Sequence, residues 1–414
     1  MFKKIPDYII PVLDRLESAG FEAYLVGGCV RDCALGKEPN DYDITTNAKP
    51  EETMRVFSDY RVIETGLKHG TVTVVSDGEC VEITTYRIDG EYADNRHPES
   101  VSFTDDITLD LSRRDFTVNA MAYSRALGLC DPFGGMGHLD EKKIVCVGSP
   151  EERFKEDGLR ILRALRFASV LDFSIDPATA IAIRDLSGLL RGISKERIYT
   201  ELCKLLCGKG AQWITREYCD VLEVCAEGIS RHVFDGCAKK LSLLSSGDHV
   251  MRLAYLCRCS ADERNIPPRE AAALIMRSLK TSSADLKRAV LLAEAAGIPY
   301  PDNETDIKRL MGRLGEDNVA DYALIRRVYA DVQAEAERFL EAHRAVAATN
   351  PCVKVSDLAI NGSEVMILTG KKGAVIGVYL SRLLDEVISD SIPNTKEALT
   401  GCLLKYQAEE DTSV

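Results

Sequence analysis

A chain of 414 residues, 45% of them apolar and 28% charged, is long enough for two or more domains and too apolar for disorder. Its formal charge of −13 excludes a protein coated in basic surface for duplex DNA, so any nucleic-acid contact must come from a local patch. No run approaches the roughly 20 apolar residues of a membrane span, and a cytoplasmic protein without membrane contact is expected.

Up to about residue 148 short β-branched runs recur. FEAYLVGG, GTVTVVSDG, ECVEITTYRI and KKIVCVG are separated by Gly, Asp and Asn turns and read as strands. Between the third and fourth runs, RIDGEYADNRHPES (87–100) lacks apolar periodicity and reads as a mobile loop. From Glu151 the pattern is helical almost without interruption, through RFKEDGLRILRALRFASV, PATAIAIRDLSGLL and KERIYTELCKLLCG to a long ALIRRVYADVQAEAERFLEAHRAVA. ATNPCVKVS looks like a linker into a last small helical unit. Fourteen cysteines lie scattered in these apolar segments without paired CxxC knuckles, as buried free thiols of a reducing compartment would.

The stretch YLVGGCVRDCALGKEPNDYDITT, residues 24–46, concentrates the chemistry. In a strand, residues i and i+2 point to one face, so Asp41 and Asp43 would project side by side and share divalent cations. Glu82 in CVEITTYR is the best placed third acid on a neighbouring strand. Carboxylate ligands favour magnesium, which keeps positions open for substrate phosphates. Gly27 and Gly28 end the preceding strand and leave backbone amides free to approach a triphosphate, with Arg31 opening the next helix as a counter-charge. These are the parts of two-metal phosphoryl transfer. Two acids spaced DxD also occur in solvated turns; the glycine pair and arginine beside them favour the catalytic reading.

VGGCVRD, NDYDITT, SRRDFTVNAMAY, DPFGG and EDGLRILRALRFA, in this order, resemble the motifs of the bacterial class II tRNA nucleotidyltransferases, the CCA-adding enzymes, and of the related poly(A) polymerases. The resemblance is dense over about residues 20–210 and returns loosely in DLAINGSEVM and IPNTKEAL. It implies an α+β fold: a nucleotidyltransferase head with a small sheet (1–150), a helical neck (151–210), a helical body (211–349) and a helical tail (350–414). It implies further that Gly28 and Arg31 contact the incoming nucleotide and that Asp41 and Asp43 hold the metals. Arg114, with Arg113 beside it, either reaches the nucleotide or pairs with the adjacent Asp115. Asn119 is either a sugar-hydroxyl contact or an ordinary turn residue. In the resembling family the loop at 87–100 is needed for the switch from C to A addition.

In the neck, Asp157, Arg160, Arg163 and Arg166 recur every three residues, a row that wraps slowly around one helix. Asp only accepts hydrogen bonds and Arg only donates them. Cytosine and adenine both present an exocyclic amine beside a ring-nitrogen acceptor, whereas uracil and guanine present a carbonyl beside a ring N–H. Asp157 with Arg160 therefore fits C and A and repels U and G, with the protein itself as template. The resemblance implies Arg163 and Arg166 as further nucleotide contacts. From Arg153 to Lys209, 11 Lys or Arg stand against 7 Asp or Glu, net +4, which places the RNA-facing patch here. Arg197 either braces the Asp157 helix or touches RNA.

RHVFDGCAKKL and MRLAYLCRCS look like the remains of a metal phosphohydrolase helix pair, but Cys257, Arg258 and Cys259 stand where its His-Asp dyad would be. His232 and Asp235 are too few for a metal site, and a structural role is expected. Lys371, Lys372 and Gly373 in the tail suit phosphate contact or plain solvation. The implied reaction adds C, C and A in turn to a tRNA 3′ end from CTP and ATP, releasing pyrophosphate. The terminal hydroxyl attacks the α-phosphate in line, magnesium is the only cofactor, and Asp41 or Asp43 bridges two metals. Poly(A) polymerase and an enzyme adding only A or only CC are alternatives; GLKHGTVTV and the tail favour full CCA addition. A non-catalytic RNA-binding protein would have lost an acid of the DxD pair, and both are present.

Overall fold

The computed structural model describes residues 5–90 and 101–412. It divides into one unit of Met1–Ser242 with Arg277–Thr281 and another of Leu243–Met276 with Ser282–Val414.

The first unit opens with α1 (Ile10–Ser18), which has proline in its first turn and buries Val12, Leu13 and Leu16 at helical spacing. There follow β1 (Ala23–Val26), α2 (Gly28–Ala34), β2 (Asp43–Thr46), α3 (Pro50–Val56), β3 (Arg61–Gly66), β4 (Thr71–Ser76) and β5 (Glu79–Thr85). Next come β6 (Arg87–Asp89), β7 (Val101–Phe103), α4 (Ile107–Ser112), β8 (Ala122–Ser124), β9 (Gly128–Cys130) and α5 (Gly135–Asp140). Seven strands form one sheet in the order β3-β4-β5-β2-β1-β8-β9. All four residues of the inner strand β1 are buried, as its unbroken apolar run requires, while β4 buries alternate residues. β1 pairs antiparallel with β2, Val26 opposite Asp43, and β2 pairs parallel with β5, Ile44 opposite Ile83. The end of β1 and the start of β2 therefore meet at one end of these inner strands, and Glu82 precedes the residue paired with Ile44.

Two expectations change here. KKIVCVG contributes only β10 (Lys143–Ile144), which pairs with β11 (Ser174–Ile175) outside the main sheet. In RIDGEYADNRHPES, Arg87–Asp89 is strand β6, paired antiparallel with β7, and residues 91–100 of the expected loop lie outside the described residues. Of the DPFGG glycines, Gly134 takes a left-handed φ of +70° and Gly135 serves packing: a Cβ on Gly135 would sit 2.3 Å from the Thr117 carbonyl, so α5 closes against that turn only without a side chain.

The neck motif is two helices, not one. α6 (Pro150–Glu156) is capped by Ser149, whose Oγ accepts the Glu152 N–H, and it stops at Asp157, which is extended at φ −141°. α7 (Leu159–Leu171) then begins, with the Asp157 Oδ1 accepting the Leu159 N–H at 3.0 Å. Asp-Gly is a turn signal, and the short side chain competes for the local backbone amide. After α8 (Pro177–Asp185), α9 (Lys195–Leu206) buries Ile198, Leu202, Leu205 and Leu206 and packs on α7, where Ser169 Oγ donates to the Leu205 carbonyl at 2.6 Å. α10 (Ala211–Glu217), α11 (Cys219–Cys225) and α12 (Arg231–Leu241) complete the series.

The second unit is helical from α13 (His249–Arg264) and α14 (Pro268–Ser278, shared with the first unit) through α15 (Ser283–Ala295) and α16 (Glu304–Leu314). The stretch expected as one long helix is α17 (Val319–Ala330) and α18 (Gln333–Ala347), broken where Asp331 takes a left-handed φ of +60°. Ile307, Met311, Tyr322 and Phe339 form one core here. α19 (Gly362–Thr369), α20 (Ala374–Ile388) and α21 (Lys396–Thr412) enclose another around Val365, Tyr379, Leu383 and Leu399. The fold is α+β, a small N-terminal sheet followed by helices. None of the fourteen cysteines is joined in a disulfide, and no helix of the described residues is long and apolar enough to cross a membrane.

Candidate active site

Where the end of β1 meets the start of β2, a cleft of about 530 Å³ brings together Gly28, Arg31, Asp41, Asp43, Arg114, Asp157, Arg160 and Arg163. With Arg113, Arg197 and Asp115 also lining it, six arginines face four aspartates. A surplus of positive charge in so acidic a chain suits a polyanion.

Gly27 makes the entry to α2 at φ +77° and ψ −125°, and a Cβ there would lie 2.9 Å from Nη1 of Arg114. The glycine is needed twice, for a backbone region closed to other residues and for the space of an arginine. Gly27→Ala should cost about 1–3 kcal/mol of local strain and displace Arg114. We expect a lowered melting temperature together with weaker binding of a nucleoside triphosphate, and a variant that binds normally would refute this placement.

Asp41 lies just before β2 and Asp43 is its first residue, so the two acids flank the strand entry rather than both lying within it. Burial, then the charges of Asp41 and Glu82, push the Asp43 carboxyl up to about 6, against the pull of Arg114. Glu82 on β5 thus stands next to Asp43 as expected from the strand order, although it flanks the cleft instead of lining it. Among the described residues no group of three or more His, Cys, Asp or Glu side chains is assembled as a metal site. The donor set nevertheless fits a hard cation bound by two carboxylates whose remaining ligands come from phosphate and water. Carboxylates whose mutual repulsion raises a pKa are the ones a cation would relieve.

Arg114 pairs only loosely with Asp110, at 3.5 Å, and its Nε is buried without a hydrogen-bond partner among the described residues. Burial pushes its guanidinium below the ordinary arginine range. A half-buried cation whose Nε is left unsatisfied fits an anionic ligand. Asp115 is not its partner: that carboxylate takes two hydrogen bonds from Arg163, at 2.8 and 2.6 Å, and one from Asn119 at 3.1 Å. Burial pushes the Asp115 carboxyl up, but Arg163, Asn119 and Arg160 outweigh it and hold it down at about 2. Asn119 in turn accepts from Nη1 of Arg31 at 2.6 Å. Arg163 thus serves Asp115, and Arg166 is drawn out of the cleft into an ion pair with Glu201 at 2.5 Å.

The Asp157 side chain is fixed by Leu159 N–H and by Nη2 of Arg197 at 2.7 Å, so Arg197 braces it. Two of roughly four lone-pair sites on that carboxylate are thereby used. Arg160 does not stack on Asp157 along one helix, because the helix breaks between them. Three of its five donors go to Glu156, the Arg153 carbonyl and the Arg113 carbonyl. The expected acceptor and donor both line the cleft, each with capacity to spare.

Sequence reasoning missed the supports. Asp110 is fully buried and grips Arg113 at 3.0 and 2.8 Å, a helical i, i+3 spacing legible in ITLDLSRR. Glu201 and Phe167 look like ordinary helix residues in the sequence and gain their roles only from the α7–α9 contact. His232 is exposed, and Asp235 lies 3.7 Å from Arg216, away from the cleft.

Residues 23–145 match the family "Poly A polymerase head domain", residues 172–220 "Probable RNA and SrmB- binding site of polymerase A", and residues 264–403 a tRNA nucleotidyltransferase domain 2 family. The chain is 34% identical over 405 residues to a CCA-adding enzyme of Geobacillus kaustophilus, covering 95% of each. The Bacillus stearothermophilus CCA-adding enzyme in complex with CTP superposes with a TM-score of 0.83 at 29% identity, covering 98% of both chains. A tRNA nucleotidyltransferase complexed with a primer tRNA and an incoming ATP analog gives a TM-score of 0.63 at 25% identity, covering 81% of this chain and 99% of that one. With likeness of this extent on a cleft of this composition, the chain belongs to the family of CCA-adding enzymes.

Proposed function

We propose that the cleft adds cytidine, cytidine and adenosine in turn to the 3′ end of tRNA from CTP and ATP, without a nucleic-acid template, releasing pyrophosphate. The observation that carries this reading is the union in one cleft of Asp41 and Asp43, the under-satisfied Arg114, and the Asp157 and Arg160 pair. Arg114 and Arg31 bind the triphosphate charge. Asp157 accepts from the exocyclic amine of C or A, and Arg160 donates to the neighbouring ring nitrogen; U and G would set carbonyl against carboxylate and N–H against guanidinium. Arg197, Asp115 and Asn119 hold these groups in place. Asp41 and Asp43, flanked by Glu82, hold the divalent metal on which the family depends, and oxygen donors and phosphate partners favour magnesium. The cation supplies Lewis-acid neutralisation of the phosphates and activation of the attacking hydroxyl.

The head spans 1–150, the neck 151–210, the RNA-binding body 211–349 and the tRNA-binding tail 350–414. Cysteines outside any disulfide suit a cytoplasmic setting. The test offers tRNAs ending at the discriminator base, after C and after CC, with CTP and ATP separately and together. We expect CTP to extend the first two, ATP to extend only the third by one residue, and both to complete the first. A long run of A would identify a poly(A) polymerase, and loss of either activity a partial enzyme.

A further inference from the structure

The guanidinium carbons of Arg31, Arg163 and Arg166 lie over the single ring of Phe167, at 5.3, 5.4 and 3.6 Å from its centroid. The ring is 5% exposed and meets the edge of Phe116 at 5.7 Å. We propose that Phe167 is a positioning residue for nucleotide binding, the aromatic platform on α7 that fixes the direction of Arg31 on α2. The proposal rests on the reading of Arg31 as a triphosphate ligand.

The three cations are not equivalent. Arg163 is held by Asp115, and Arg166 by Glu201, whatever lies beneath them. Arg31 donates through Nη1 to the neutral Asn119 and pairs through both Nε and Nη2, each at 2.9 Å, with one oxygen of its sequence neighbour Asp32 on the same short helix. It alone comes from a different element, so the ring is a contact through which the neck helix sets the plane of a head arginine. The negative face of an aromatic ring attracts a guanidinium and offers it a flat surface; an aliphatic side chain of similar bulk offers neither. Without the ring, Arg31 would retain its contacts to Asp32 and Asn119 but lose the flat surface that backs its face. Ordering it would then fall to the incoming nucleotide, and the cost would appear in binding. Arg31 faces charge and not the base edge, so the cost would be the same for CTP and ATP.

The test is a double-mutant cycle on the full-length protein, with Phe167→Leu and Arg31→Ala made singly and together. KM and kcat are measured for CTP on tRNA ending at the discriminator base and for ATP on tRNA ending in CC. We expect Phe167→Leu to raise both KM values equally, by about tenfold, with a smaller effect on kcat. Phe167→Tyr, which keeps the ring, should restore most of the loss. In the Arg31→Ala background Phe167→Leu should add under about twofold. Persistence of the full factor in that background, or unequal effects on CTP and ATP, would overturn the proposal. If Phe167→Leu does not fold, Phe167→Met, closer in volume, supplies the same comparison. An Arg31→Ala variant with unchanged KM would refute the reading of Arg31 itself, whereas a raised KM there with an inert Phe167→Leu would refute only the platform.

Discussion

Asp43→Ala is expected to abolish addition to all three tRNA ends, those at the discriminator base, after C and after CC, by more than about a hundredfold, the scale of losing one preorganised electrostatic group. Retention of a tenth of the parent rate at saturating magnesium would remove Asp43 from the metal site. Glu82→Gln should be damaging but milder, since Glu82 stands beside Asp43 and outside the cleft lining. The raised pKa of Asp43 adds a second, independent readout. Its carboxyl titrates near 6 in the folded chain and near the ordinary value of about 4 when unfolded. Between those values the folded state binds the extra proton, so stability falls as pH rises through this window and the loss is complete above it. Asp43→Asn should therefore raise the metal-free melting temperature at pH 8 and leave it unchanged at pH 4. Added magnesium should stabilise the parent at pH 8 and do less for the variant. A metal-free variant that melts at or below the parent at pH 8 would refute the electrostatic account.

The second large effect concerns base choice. Asp157→Ala and Arg160→Ala should each lower the preference for CTP over UTP by about ten- to a hundredfold, following the roughly 1–3 kcal/mol carried by a good bidentate pair. Triphosphate binding should weaken much less, because the proposed triphosphate contacts, Arg31 and Arg114, are untouched. Ratios of kcat/KM for CTP and UTP on tRNA ending at the discriminator base measure this. Asp157→Ala also removes the hydrogen bond to Leu159 N–H and frees Arg197, so its thermal stability should fall further than that of Arg160→Ala. If both variants lose CTP and UTP turnover in equal proportion, the pair does not read the base.

Much of this site was legible in the sequence because its parts obey local rules. A glycine pair before a helix, acids two apart at a strand, and a third acid on the next β-branched run all follow from period and turn chemistry. The α+β division followed from the change of period near residue 150. What escaped depended on contacts between segments. The row from Asp157 to Arg166 looked continuous because arginine every third residue mimics one helix, while the Asp-Gly turn inside it divides α6 from α7. Arg166 carries the same spacing as Arg160, yet Glu201 on α9 withdraws it. Asp115 looked like the natural partner of its neighbours in RRD, but Arg163 reaches it first and Asp110 takes Arg113. β8 and β9, three residues each, are too short to display a period at all.

The break at Asp157 has a consequence for how the enzyme's alphabet is encoded. The accepting half of the proposed base reader is aimed by an arginine of α9, and the donating half by the carbonyl of the first arginine of RRD and a glutamate of α6. On the proposed reading, the text CCA is written in no single helix but in the agreement of segments as distant in the chain as Arg113 and Arg197. An editor seeking a new letter has two kinds of place to write it: the reader itself, or the braces that tell it where to look.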